Sequence, residues 1–310
     1  MRSCTPAVTD PHERLVYATT GDGLELRGAL IRSATPTDAP LCLWVHTRQQ
    51  SFAEREYIGI GRLLAARGRD FLSVDTRGHD FGAWYRTGDG RALHGSAWER
   101  FSDCVHDLDA WVDFAVARGY RRTVLIGHGF GGAKVLHFQA QRRRPEVVAV
   151  ALASSGASAR DKFSDEAHTL ARGMVDAGRG RDLMPWGTGG DGSTNTVSAE
   201  WYVARARMHA ELYGTETLPP AIARVAVPVL AWYGANERRA NRDVDVLLDW
   251  LRSNAVESPR FVGRIVDDLG FFYRGRESLV ADVLVDGLQR LDPQVKPAVS
   301  GTDVARGRGR

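Results

Sequence analysis

The chain has 310 residues, 43% of them apolar and 25% charged, with a formal net charge of +3. That length buries one substantial core. The near-neutral body offers no groove for nucleic acid, because the excess charge sits in the tail GTDVARGRGR, which reads as a disordered end. Cys4, Cys42 and Cys104 are too scattered for a disulfide framework or a CxxC zinc cluster. No stretch reaches the ~18 apolar residues of a membrane span, and the start MRSCTPAVTDPHER lacks the apolar run of a signal peptide. The expectation is a soluble cytoplasmic protein with no nucleic-acid or membrane partner, no metal and no cofactor.

In chain order, residues 15–20 and 24–32 predict two strands around the turn Gly21-Asp22-Gly23. Residues 41–46, LCLWVH, form a continuous apolar run, as in a strand buried on both faces. A helix over 53–67 ends at Gly68, and a strand follows over 71–75. Phe101, Val105, Leu108 and Val112 share one helical stripe that stops at Gly119. A strand over 123–126, a glycine-rich turn, a helix over 133–143 and a strand over 147–153 continue the alternation. After a break, a strand over 227–233, a helix to about 251, a strand over 261–266 and a helix over 277–291 complete it. Strands alternating with helices imply a mainly parallel sheet with helices on both faces and right-handed crossovers, and an antiparallel hairpin at one edge. The break carries helical patterns over 162–177 and 198–213 around the loop MPWGTGGDGSTN. The expected division is a core over 1–156 and 221–292, a helical lid inserted at 157–220, and a disordered tail over 293–310.

The segment TVLIGHGFGGAKV runs an apolar strand into Gly127-His128-Gly129-Phe130-Gly131-Gly132 and then a helix. A dinucleotide site would use Gly127, Gly129 and Gly132, but no acidic residue ends a strand roughly 20 residues later, as that fingerprint requires. The segment resembles instead the GxSxG nucleophile elbow of α/β-hydrolases, with Gly129 at the nucleophile position. The resemblance covers nearly the whole chain. FLSVDTRGHDFGAWY resembles the "RGHD" strand end of a bacterial and fungal group in that family. VAVPVLAWYGANE resembles the strand and loop that supply the acid, which falls on Glu237. VDDLGFFYRGRESLV resembles the loop that supplies the histidine, which falls on Gly270. The resemblance implies an α/β-hydrolase fold with a pocket at the carboxyl ends of the strands under a lid.

The family's chain order is nucleophile, acid, histidine. No histidine follows His209, and the acid candidate lies beyond it. No shift of register restores that order. Glycine has no nucleophile, and an elbow without its triad retains only ~10³–10⁴-fold over water. Ordinary acyl-enzyme turnover is therefore excluded.

The candidate bases are His46, at a strand end, His128, within the elbow, and Glu237. The Phe130 N–H is the expected oxyanion donor. Thr47, Arg48, His79, Trp84, Tyr85, Trp186, Trp201 and Phe271 are expected around a small-molecule or peptide substrate. The His79-Asp80 pair reads equally as a structural loop clamp, and Trp186 and Trp201 equally as lid packing. Three classes stay open: a non-hydrolytic epimerase or isomerase, as the resemblance to triad-less natural-product proteins, peptide epimerases among them, implies; a pseudoenzyme that binds a ligand or peptide; and a hydrolase with a rewired water-activating site.

Overall fold

In β3 (Leu41–Val45), Leu41, Leu43 and Val45 face one apolar core while Cys42 and Trp44 face the other. Period-two alternation between two buried faces is what makes its sequence continuously apolar. A computed structural model describes residues 12–35, 37–88, 90–156, 164–188, 196–240 and 242–291. The tail over 293–310 and part of the expected lid fall outside the described residues.

Around β3 stand β1 (Glu13–Thr19), β2 (Glu25–Ile31), β4 (Phe71–Val74), β7 (Thr123–His128), β8 (Val147–Ala153), β9 (Val229–Gly234) and β10 (Phe261–Val266). They form one sheet in the order β1-β2-β4-β3-β7-β8-β9-β10. The β1–β2 and β2–β4 pairs are antiparallel and the others parallel. One face carries α2 (Cys104–Ala117), α3 (Phe130–Arg142) and α6 (Val244–Asn254), through Leu108, Trp111, Val135, Phe138 and Leu248. The other carries α1 (Arg55–Ala66) and α7 (Glu277–Leu291), through Tyr57, Ile60, Leu64, Val280 and Leu284. This is the α/β-hydrolase fold that the sequence predicts.

Between β8 and β9, α4 (Asp165–Asp176) and α5 (Ala199–Tyr213) pack on each other around a third cluster that includes Met174, Met184, Trp201 and Tyr202. Each helix starts on a serine cap: Ser164 accepts the Ala167 N–H and Ser198 the Trp201 N–H, both at 3.3 Å.

Two departures from the sequence reading matter. Residues 83–87 and 90–94, to which the sequence reading assigned no element, form a separate antiparallel hairpin of β5 (Ala83–Thr87) and β6 (Gly90–His94). The sequence Gly-Asp-Gly over 88–90 was the usable signal. The elbow helix starts at Phe130 rather than 133, despite two glycines in its first turn. Packing overrides their low propensity: a β-carbon on Gly131 would lie 2.4 Å from the Val45 carbonyl oxygen, and one on Gly132 2.0 Å from Ser155 Oγ.

The Arg77-Gly78-His79-Asp80 segment after β4 is a structural clamp. Buried Arg77 binds Asp107 on α2 and, through two nitrogens, Asp22 in the β1–β2 turn. Gly78 leaves room for the Glu99 carboxylate, which a β-carbon there would meet at 1.9 Å. His79 Nδ1 pairs with Asp80 at 2.8 Å and its Nε2 with Arg27 at 2.9 Å.

Candidate active site

The turn between β7 and α3 keeps the sharp elbow shape, with Gly129 at φ 51°, ψ −117°. The space beside Gly129 is already filled. A β-carbon there would lie 2.2 Å from Thr47 Oγ1, 2.9 Å from Thr47 Cβ and 2.8 Å from Phe271 Cζ. Thr47, just beyond β3, therefore holds its hydroxyl where a nucleophilic side chain would start. The Phe130 N–H donates to that same hydroxyl at 3.1 Å. The expected oxyanion donor is thus satisfied internally, which corrects the reading of it as an open donor. A carbonyl oxygen could use it only after Thr47 turns away.

The two histidines are placed in the core, not facing a pocket. His128 is fully buried, with Nε2 donating to the Phe271 carbonyl at 2.8 Å. Its Nδ1 lies 2.6 Å from the Tyr57 hydroxyl, which itself donates to Gln50. Burial lowers its pKa to about 3, against the opposing effect of the Phe271 carbonyl. In His46, Nε2 accepts from the Thr76 N–H at 3.1 Å, so Nδ1 donates to the Thr47 carbonyl at 2.8 Å. Burial, then the nearby Lys134 ammonium, holds its pKa well below the usual range. Both rings are neutral and have their nitrogens engaged. They splint the elbow: His128 ties it to α1 and to the Phe271 loop, and His46 ties β3 to β4.

Glu237, the acid-position carboxylate, is buried just after β9. It accepts from Ser154 Oγ at 2.6 Å, the Gly234 N–H at 2.7 Å and Arg242 at 2.6 Å. Arg242 also donates to the Ser154 and Gly156 carbonyls and lies over the Phe271 ring at 5.3 Å. Where a triad acid would orient a histidine, this one anchors an arginine. Gly270, at the histidine position, has open space on its β-carbon side; the nearest atom, Asn236 Cβ, is 4.0 Å away.

Of the expected substrate residues, Thr47 and Phe271 meet at Gly129. Arg48 lies over the Trp201 ring of α5 at 4.8 Å, so the inserted helices reach the end of β3. His79, Trp84 and Tyr85 do not join them. They line a separate cleft with Arg27 and Arg86, and the Tyr85 hydroxyl donates to the Thr76 carbonyl. Trp186 is 69% exposed.

Sequence reading missed a buried ion pair below the elbow. Lys134 Nζ on α3 lies 2.6 Å from Glu99 Oε2 and donates to Thr76 Oγ1 at 2.9 Å, and both charged side chains are buried. Thr76 in turn contacts His46 Nε2, linking the first turns of α3 to β3. A lone lysine amid the apolar residues of α3 was the available signal. Among the described residues, no group of three or more His, Cys, Asp or Glu side chains could hold a metal ion. No described helix is long and apolar enough to cross a membrane.

Sheet order, elbow and inserted helices define a class, the α/β-hydrolase fold. The chain belongs to the Alpha/beta hydrolase family, whose profile matches residues 43–289. Similar solved structures include DcsB in complex with its substrate analogue (TM-score 0.65, 15% identity, covering 90% of this chain and 98% of that one). The alpha/beta hydrolase GrgF from Penicillium sp. sh18 is similar at TM-score 0.64 and 16% identity, with the same coverage. Est1E from Butyrivibrio proteoclasticus with bound ferulic acid is similar at TM-score 0.61 and 17% identity, covering 89% and 98%. At such identities the likeness is one of fold. No curated protein sequence matches the chain.

Proposed function

We propose that this chain is a non-catalytic member of its family, a pseudoenzyme that binds a small molecule or peptide between the elbow and the inserted helices. In this reading residues 1–156 and 221–292 are the binding scaffold and the insertion within 157–220 is a lid. One observation carries it: the Thr47 hydroxyl fills the seat of the nucleophile and takes up the Phe130 N–H. Nucleophile and open oxyanion donor are lost together, and the acid-position carboxylate serves an arginine. The ferulic acid named with one structural neighbour supports a small molecule as the ligand class.

An epimerase or isomerase acting on a peptide or natural-product intermediate needs a base that reaches an α-proton. His46 and His128 are enclosed with their nitrogens engaged, and Glu237 accepts three hydrogen bonds. A rewired hydrolase needs one of the same groups to activate water. The pseudoenzyme reading needs none of them.

The test combines two assays on the full chain. p-Nitrophenyl acetate and butyrate should be hydrolysed no faster than in buffer. Candidate peptides in D₂O should gain no deuterium by mass spectrometry. Deuterium gain at one carbon without other mass change would establish the isomerase class instead. Saturable ester turnover abolished by Glu237→Gln would establish the rewired hydrolase.

A further inference from the structure

A second cleft opens at the opposite end of the sheet, where β3, β7, β8 and β9 begin. It encloses about 600 Å³, within the range of ligand pockets. Val124, Val148, Pro228 and Leu291 are among the residues that make its wall apolar, and Arg69 and Arg122 line it with no aspartate or glutamate. Neither arginine has an ion-pair partner among the described residues. Two acids close by, Asp70 beside Arg69 and Glu146, whose carbonyl accepts the Thr123 N–H, are engaged elsewhere. Asp70 accepts from the Tyr120 hydroxyl at 2.6 Å and the Ser33 N–H at 2.8 Å, and Glu146 binds Arg144 at 3.0 Å.

Arg69 precedes β4 and Arg122 precedes β7, with β3 between them. Their backbones are thus roughly 10 Å apart, two strand spacings. Two long side chains can converge on one anion across that gap. Guanidinium groups suit this task, because they bind carboxylates through paired N–H donors and stay charged at any working pH. An apolar trough with two uncompensated arginines has the chemistry of a host for a long-chain anion.

We propose that this cleft binds an amphipathic monocarboxylate of fatty-acid type, with its chain along the Val124–Val148–Leu291 wall and its carboxylate between Arg69 and Arg122. The site is independent of the reading of the elbow, since the two lie at opposite ends of the strands.

The test is isothermal titration of the full chain with sodium dodecanoate below its micelle concentration. One saturable site is expected, weakened roughly tenfold or more in Arg69→Gln/Arg122→Gln. Val148→Trp, which fills the trough and keeps both arginines, should also weaken binding, with circular dichroism reporting the fold of each variant. Dodecyltrimethylammonium, with the same chain and the opposite charge, should not bind. The absence of saturable heat up to about 1 mM dodecanoate would overturn the proposal. So would unchanged affinity in the arginine variant, or equal binding of the cationic amphiphile.

Discussion

Thr47 and Phe130, 83 residues apart in the chain, close the elbow on itself: the hydroxyl of the first accepts the N–H of the second at 3.1 Å, beside an apex that carries no side chain. The donor that would face a reacting carbonyl in a working esterase holds the protein's own threonine.

The first consequence concerns covalent probes. Fluorophosphonates need an activated side-chain nucleophile. Intact-mass spectrometry should show no stoichiometric adduct after prolonged incubation. A full-occupancy adduct mapped to any residue around Gly129 would contradict the site as described.

Restoring the serine should fail for a steric reason. Gly129→Ser places its β-carbon against Thr47 and Phe271 and should cost about 1–3 kcal/mol of stability from overpacking alone. Thr47→Ala removes the nearest atom, so the double variant should be more stable than the sum of the single effects by about 0.5–3 kcal/mol in urea titrations. Ester turnover is expected only once Gly270→His, placed where the structure leaves room, is added to both.

The Lys134–Glu99 pair should reveal itself by the same logic. Lys134→Met leaves the Glu99 carboxylate buried without its cation and should cost about 3–5 kcal/mol. Lys134→Met/Glu99→Leu removes both charges and should recover much of that loss. Equal or greater destabilisation in the double variant would show that the Thr76 and His46 contacts, rather than charge burial, dominate.

Acid stability should report the splinting histidines. Their folded pKa values lie below the unfolded value, so the unfolded chain takes up protons first as pH falls. Stability present above about pH 6.5 is then lost as pH drops, for His128 toward its folded value of about 3, at about 1.4 kcal/mol per pH unit. Between about pH 4.5 and 6.5, urea titrations of His128→Gln should show a slope shallower by one such increment. An unchanged slope would mean that His128 does not titrate on unfolding in that window.

The strands of the main sheet and the antiparallel hairpin at its edge were readable because each carries a local signature, and the elbow because Gly127, Gly131 and Gly132 are demanded by close backbone approach. That no histidine follows His209 was legible from the chain itself. The roles of Thr47, Tyr57 and Lys134 were not readable. Each depends on partners from distant strands or helices, and a threonine after an apolar strand looks the same whether its hydroxyl faces a ligand or plugs a turn. His46 and His128 show the same limit, since position at a strand end or elbow says nothing of what lies against the ring nitrogens.

The backbone angles of Gly129 carry a last implication. At φ 51°, ψ −117° an ordinary L-residue is strained by about 1–3 kcal/mol, and enzymes keep such strain only where the reaction needs it. Glycine occupies that conformation with little penalty. This chain's turn is therefore relaxed where an active esterase's would be tensed. An engineered return to catalysis must first reload that spring.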